Sequence, residues 1–168
     1  MSIEVEGLEA IYEKLDKLVD EPTMQKNMAR ACALVERTAK QKAQGQGGTG
    51  DLARSITSKV ELEGGYVKGT VFTPLHYAPY VEYGTGIHAE KGGRKGWWVY
   101  VEGSDTKGTG GKHYTEEEAK NACAYLRSKG LKAFATNGRE PRPFMRPALN
   151  ENRENIKRLL KGGLNKND

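Results

Sequence analysis

The feature that most constrains this chain is a change of period at Ile56. Upstream, Met24, Met28, Ala31, Cys32, Val35, Ala39 and Ala43 recur every three or four residues, with Lys26, Arg30, Arg37 and Lys40 opposite. That is one face of an amphipathic helix over residues 24 to 43, and its small side chains permit close approach to a sheet or another helix. Downstream, Ile56, Ser58, Val60 and Leu62 alternate with Thr57, Lys59, Glu61 and Glu63. That is the period of a strand with one covered face. Gly64-Gly65 supplies a two-residue hairpin turn, and residues 66 to 73 return, with Val67 and Val71 on one side and Tyr66 and Phe72 on the other. A long helix followed by an antiparallel hairpin makes the chain a mixture of helix and strand.

The remaining stretches fill in around this pair. Leu8, Ile11, Tyr12, Leu15, Leu18 and Val19 predict a first amphipathic helix, broken at Asp20-Glu21-Pro22 where the long helix opens. Gly45-Gln46-Gly47-Gly48-Thr49-Gly50 matches the dinucleotide fingerprint letter for letter. A helix precedes those glycines where the fingerprint needs a strand, so the run reads as a flexible loop. Residues 49 to 56 read as a capped helical turn with Asp51 near its start. Tyr77-Ala78-Pro79-Tyr80-Val81-Glu82-Tyr83-Gly84 reads as one short helical turn, with Pro79 at its start and Gly84 just past its end. An edge strand is the second reading of the same residues. The tyrosines suit either a packed surface contact or a core element with satisfied hydroxyls.

Residues 84 to 96 hold five glycines and read as a mobile loop. Trp97 to Val101 is a short apolar strand, and residues 102 to 112 form another loop, whose Gly110-Gly111-Lys112 lacks the Ser or Thr and the leading strand of a phosphate loop. Thr115-Glu116-Glu117-Glu118 is a capping box before a helix with Ala119, Ala122, Cys123 and Leu126 on one face, stopped at Gly130. Residues 131 to 135 predict a strand returning beside the tryptophans. Residues 87–138 therefore read as a β-α-β-like insertion within a single domain spanning 1–168. Arg142-Pro143-Phe144-Met145-Arg146-Pro147 leads into a last helix striped by Leu149, Ile156, Leu159 and Leu160 and ended by Gly162-Gly163. In that entry, Phe144 and Met145 are expected to anchor the helix while Arg142 and Arg146 hold carboxylates.

Composition narrows the function classes. The net charge is +5 on 27 basic and 22 acidic side chains. Between Arg139 and Lys161 seven Arg or Lys stand against three Glu. This excess leaves open a small basic nucleic-acid-binding accessory protein, although no aromatic platform or recognition motif accompanies it. Cys32 and Cys123 lie far apart in helical patterns, which points to a reducing compartment. No apolar run is long enough for a membrane span, so no membrane partner is expected. His76, His88 and His113 are scattered, without the spacing of a metal site, and no nucleophile–base pair is visible. The chain reads as no enzyme, with no catalytic residues, no metal and no cofactor.

Three segments in order carry a family resemblance: Thr49-Gly50-Asp51-Leu52-Ala53-Arg54-Ser55-Ile56, Tyr77-Ala78-Pro79-Tyr80-Val81-Glu82-Tyr83-Gly84-Thr85, and Pro141-Arg142-Pro143-Phe144-Met145-Arg146-Pro147-Ala148-Leu149. Together the chain resembles the tail-completion, or neck, proteins among the head–tail joining components of long-tailed bacteriophages and prophages. The resemblance implies an α+β fold: a small antiparallel sheet flanked by a long N-terminal helix and a C-terminal helix, here with the insertion. It implies a virion structural protein that joins head and tail through ring assembly, made in the bacterial host cytoplasm. Its partners would be itself and other connector or tail-tube proteins, with DNA at most as passing cargo. Tyr77, Tyr80, Glu82, Tyr83, Arg142 and Arg146 are the interaction candidates. Gly50, Leu52, Ile56, Gly84, Pro143, Phe144, Met145 and Pro147 are the structural positions of the motifs.

Overall fold

The computed structural model describes residues 21–44, 50–64, 66–103 and 115–161. The helix expected over residues 8–19, the glycine run 45–49, Gly65, most of the loop ending at Lys112, and the Gly162-Gly163 stop lie outside the described residues. The fold is α+β, with a long helix, two small antiparallel sheets and a C-terminal helix. The chain divides into two compact units, Met1–Leu75 with Phe144–Asp168, and His76–Pro143.

The first unit is built on α1, Glu21–Gln44. Glu21 and Pro22 suit its first turn, the acid by complementing the helix dipole and the proline by its fixed φ. The predicted stripe is its covered face: Ala31, Cys32, Val35, Ala39 and Ala43 are buried, and Met28 is half-buried at one margin. Against this face pack α2 (Asp51–Ser55), β1 (Thr57–Glu63), β2 (Tyr66–Phe72) and α5 (Met145–Lys161). The hairpin has the predicted two-residue connection, since its register runs from Thr57↔Phe72 to Glu63↔Tyr66. Ser58, Val60, Val67 and Val71 are half-buried, and their neighbours along each strand are mostly exposed. Gly69 lies directly over the helix, where an added Cβ would stand 2.5 Å from Cys32 Sγ and 2.7 Å from Met28 Sδ.

Two sequence expectations in this unit need correction. The turn before Ile56 has no side-chain cap: Gly50 is its N-cap, at φ +82°, a left-handed conformation that glycine adopts without strain. Asp51 instead pairs with Arg54 three residues on. In α5, Leu149 was expected on the covered stripe but is 54% exposed. Ala148 and Asn152 take the covered positions, and Leu149 stands beside an opening shared with Met28, Val35 and Val71. The Asn152 amide donates to Thr38 Oγ1 at 2.9 Å and to the Ala148 carbonyl at 2.8 Å, which pins α5 to α1 through a satisfied buried polar group.

A second polar tie joins α1 to the hairpin. Glu36 accepts a hydrogen bond from Lys40 Nζ and another from Ser58 Oγ, both at 2.6 Å. The Lys40 bond, then the Ser58 bond, hold its carboxyl below the usual carboxylate range. Burial, and then the Glu36 charge, push the Cys32 thiol up, so Cys32 behaves as a small apolar core residue.

The second unit has its own core. β3 (Trp98–Val101) pairs antiparallel with β4 (Ala133–Thr136), from Trp98↔Thr136 to Val101↔Ala133. The helix between them, α4 (Glu116–Ser128), starts with the predicted capping box: Thr115 Oγ1 accepts from the Glu118 amide, and Glu118 Oε2 accepts from the Thr115 amide. Val99, Ala119, Cys123 and Ala133 are buried together, with Trp97 and Leu126 packed around them.

Two outcomes follow from the first unit. Phe144 is 1% exposed and is the largest fully buried side chain among the described residues. Truncating a buried phenylalanine costs about 3–5 kcal/mol, so Phe144→Ala is expected to lower the melting temperature sharply in calorimetry. Because the folded Glu36 pKa is depressed, its contribution is full above the unfolded value of about 4.3 and is lost as pH falls below it. Glu36→Gln is expected to flatten the acid limb of melting temperature against pH while lowering the neutral value.

Candidate interaction surface

In the second unit the tyrosine segment forms the predicted helical turn, α3 (Ala78–Tyr83). Pro79 lies in its first turn, and Gly84 closes it at φ +75°. The Tyr80 and Val81 amides both donate to the Tyr77 carbonyl, at 3.0 and 3.3 Å, so the edge-strand reading does not hold. Burial within the turn falls on its smaller and acidic residues. Ala78, Glu82 and Gly84 are buried, Glu82 at 4% exposure, while Tyr80 and Tyr83 are 60% and 42% exposed. Tyr77 is half-buried and meets His76 edge-on, with ring centroids 5.7 Å apart. A six-residue helix has room for one inward stripe only, and the close approach of backbone beneath it selects Ala and Gly for that stripe.

That close approach corrects the reading of residues 84 to 96 as one open loop. Gly86–His88 is a 3₁₀ turn, and the strand of chain around it runs beside residues 137–139. Thr85 N–H donates to the Arg139 carbonyl at 2.9 Å, Ile87 N–H to the Asn137 carbonyl at 3.0 Å, and Arg139 N–H to Thr85 Oγ1 at 2.9 Å. Gly86 and Gly138 sit at this crossing with positive φ, and a Cβ on either would run into a carbonyl of the facing segment, Asn137 for Gly86 and Thr85 for Gly138. Glu90 N–H closes back on the Tyr83 carbonyl at 3.0 Å, and the Arg142 amide donates to the Val81 carbonyl at 2.8 Å. The turn is thus held from both ends by main-chain bonds.

The outer side of the turn opens into a groove of about 550 Å³, lined among others by Tyr80, Tyr83, Gly86, Ala89, Lys91 and Arg94. The Arg94 guanidinium also lies 5.2 Å from the Trp98 ring centroid, a cation–π contact. Exposed aromatic rings beside cationic side chains over a rigid backbone make a surface suited to protein contact. Sequence reading found the tyrosines and missed Lys91 and Arg94, since nothing in a glycine-rich stretch signals which cations fold against the turn.

The other candidates lie elsewhere. Gly84 belongs to this turn. Arg142 carries its main-chain bond at the end of the second unit, and Pro143 is half-buried beside it. In the first unit Leu52, Ile56 and Phe144 are core, Met145 and Pro147 are half-buried in the first turn of α5, and Arg146 is exposed there. Gly50 caps α2, as described.

Residues 8–84 match the family model described as "Bacteriophage HK97-gp10, putative tail-component". The resemblance to phage tail proteins holds over this segment. It contains the first of the three motifs and all of the second but Thr85, and supports a phage structural role with a place in the virion. No curated protein and no solved structure matches the chain. Among the described residues no helix is long and apolar enough to cross a membrane.

The crossing predicts its own sensitivity. Gly86→Ala forces both a positive-φ alanine and a clash with the Asn137 carbonyl, each of which destabilises. Amide exchange is expected to speed up across residues 76–103 in this variant, with little change in α1.

Proposed function

We propose that this chain is a non-enzymatic tail-completion or neck component, joining head and tail of a phage or prophage virion by assembling as a homo-oligomeric ring. The observation that carries the reading is the presence of two exposed tyrosines on a rigid turn within a segment that matches phage tail components. One small chain builds a collar most simply by repeating one contact around a closed rotation axis. Tyr80 and Tyr83, with Lys91 and Arg94 at their side, offer the patch for that contact, to a second copy or to a connector or tail-tube protein. Glu82 acts from beneath as a buried support of the turn. DNA is passing cargo in this reading.

The test is assembly measured apart from folding. Light scattering across concentration, with electron microscopy of mixtures with tail or connector proteins, is expected to show rings. Tyr80→Ala is expected to abolish them with little change in melting temperature, since the ring is 60% exposed. Retained assembly in the Tyr80→Ala, Tyr83→Ala double variant would remove this turn from the contact. Steeply salt-dependent binding of duplex DNA, with no assembly, would favour the nucleic-acid-binding alternative.

A further inference from the structure

We propose that the second unit binds single-stranded nucleic acid on the outer face of its β3–β4 sheet. The two faces of this sheet differ in kind. Val99, Val101, Ala133 and Ala135 pack toward α4 and its buried cluster. By the two-residue alternation of a strand, Trp98, Tyr100, Phe134 and Thr136 point the other way. Every aliphatic side chain of the two strands is thus on the covered face, and three of the four positions on the other are aromatic. Tyr100 and Phe134 stand directly opposite each other in the register and are 44% and 39% exposed. Their rings stack with centroids 5.3 Å apart and 25° between planes. Large rings left together in water mark a contact surface.

The chemistry of the face selects the occupant. Two guanidiniums flank the rings: Arg94 lies 5.2 Å from the Trp98 ring centroid, and Arg127 lies 5.8 Å from that of Phe134. Among the described residues neither has a carboxylate partner. Arg127 Nε donates to the Ala133 carbonyl at 2.9 Å, which fixes this side chain at the sheet and leaves the rest of its guanidinium for an anion. Glu102, the acid that follows β3, is itself taken by Lys132 at 3.3 Å. Flat rings beside unneutralised cations match the two parts of a single strand, bases that stack and phosphates that pair. Trp98 and Tyr100 stand two residues apart on one strand, about 7 Å, so successive unstacked bases can each reach a ring. A duplex keeps its base faces inside its own stack and offers the rings nothing. Rings and arginines also suit protein contacts; the absence of aliphatic side chains from this face, and the ring spacing, favour the single strand. The basic stretch from Arg139 to Lys161 has charge without rings, whereas here the two occur together. A cross-strand aromatic pair also steadies a sheet, but that role leaves Trp98 and both arginines unused. This inference depends neither on the tyrosine turn nor on ring assembly.

The test uses the full chain and a fluorescently labelled oligothymidylate of about ten nucleotides, with anisotropy read as salt rises. Binding is expected to weaken with salt and to quench tryptophan emission. Tyr100→Leu keeps an apolar side chain and removes the ring. It is expected to weaken binding at least about fivefold, the low end for one lost base–ring stack. An abasic strand of equal length is expected to bind this variant and the unaltered chain alike. Arg127→Gln is expected to weaken both strands and to lower the slope of log affinity against log salt by about 0.7, one phosphate contact. No binding at low salt overturns the proposal, as does unchanged affinity in a folded Tyr100→Leu, Phe134→Leu variant. Tighter binding of the matching duplex overturns it as well. Should the leucine variants fail to fold, the unaltered chain decides. Tryptophan quenching by oligothymidylate and not by the abasic strand supports the proposal, and binding without that quenching overturns it. Loss of ring assembly in the folded double variant, with no oligonucleotide bound by the unaltered chain, assigns the face to protein contact and overturns it.

Discussion

The first unit depends on one face of α1 whose side chains are no larger than valine. Ala31, Cys32, Val35, Ala39 and Ala43 let two strands and two helices approach a single helix closely. Close approach raises the number of favourable atom contacts per residue and leaves no room for bulk on the opposing elements. The consequences appear on each partner. β2 meets α1 at Gly69, and α5 meets it at Ala148, which is fully buried. With little apolar volume at these crossings, buried polar bonds fix their register: Asn152 with Thr38 on one side, and Glu36 with Ser58 on the other.

The second unit solves a related problem with backbone alone. Two glycines, Gly86 and Gly138, allow two chain segments to lie against each other, and reciprocal hydrogen bonds between residues 85–87 and 137–139 hold them. The tyrosine turn stands on that platform. Because Ala78, Glu82 and Gly84 occupy its inner side, Tyr80 and Tyr83 have nowhere to go but outward. Their exposure is a consequence of packing beneath them, and it is what makes them available to a partner.

Charge plays a different part in each place. Ion pairs such as Lys120–Glu116 and Lys68–Glu63 are mostly exposed and add little to stability. The arrangement that matters is regional: basic α5, an acidic N-terminal segment, and cations beside the tyrosine groove. Such patterning orients contacts and sets their salt dependence more than it sets affinity.

Much of the architecture was legible in the sequence. The stripe from Met24 to Ala43, the alternation from Ile56 to Glu63 and the capping box at Thr115 each rest on neighbours within a few residues, so periodicity and local chemistry sufficed. The motif resemblance likewise held over residues 8–84, because those motifs are read from residue order alone. What required the tertiary structure were the choices made between segments far apart in the chain. Leu149 stays exposed because Ala148 and Asn152, the latter bonded to Thr38 more than a hundred residues earlier, take the buried positions of α5. Residues 84–90 form a built corner because residues 137–139 supply their hydrogen-bond partners. Lys91 and Arg94 join Tyr80 and Tyr83 because the Gly86–Gly138 crossing folds the loop back. A sequence pattern records which side chains prefer to be covered, and only the packed chain decides which of them find the room.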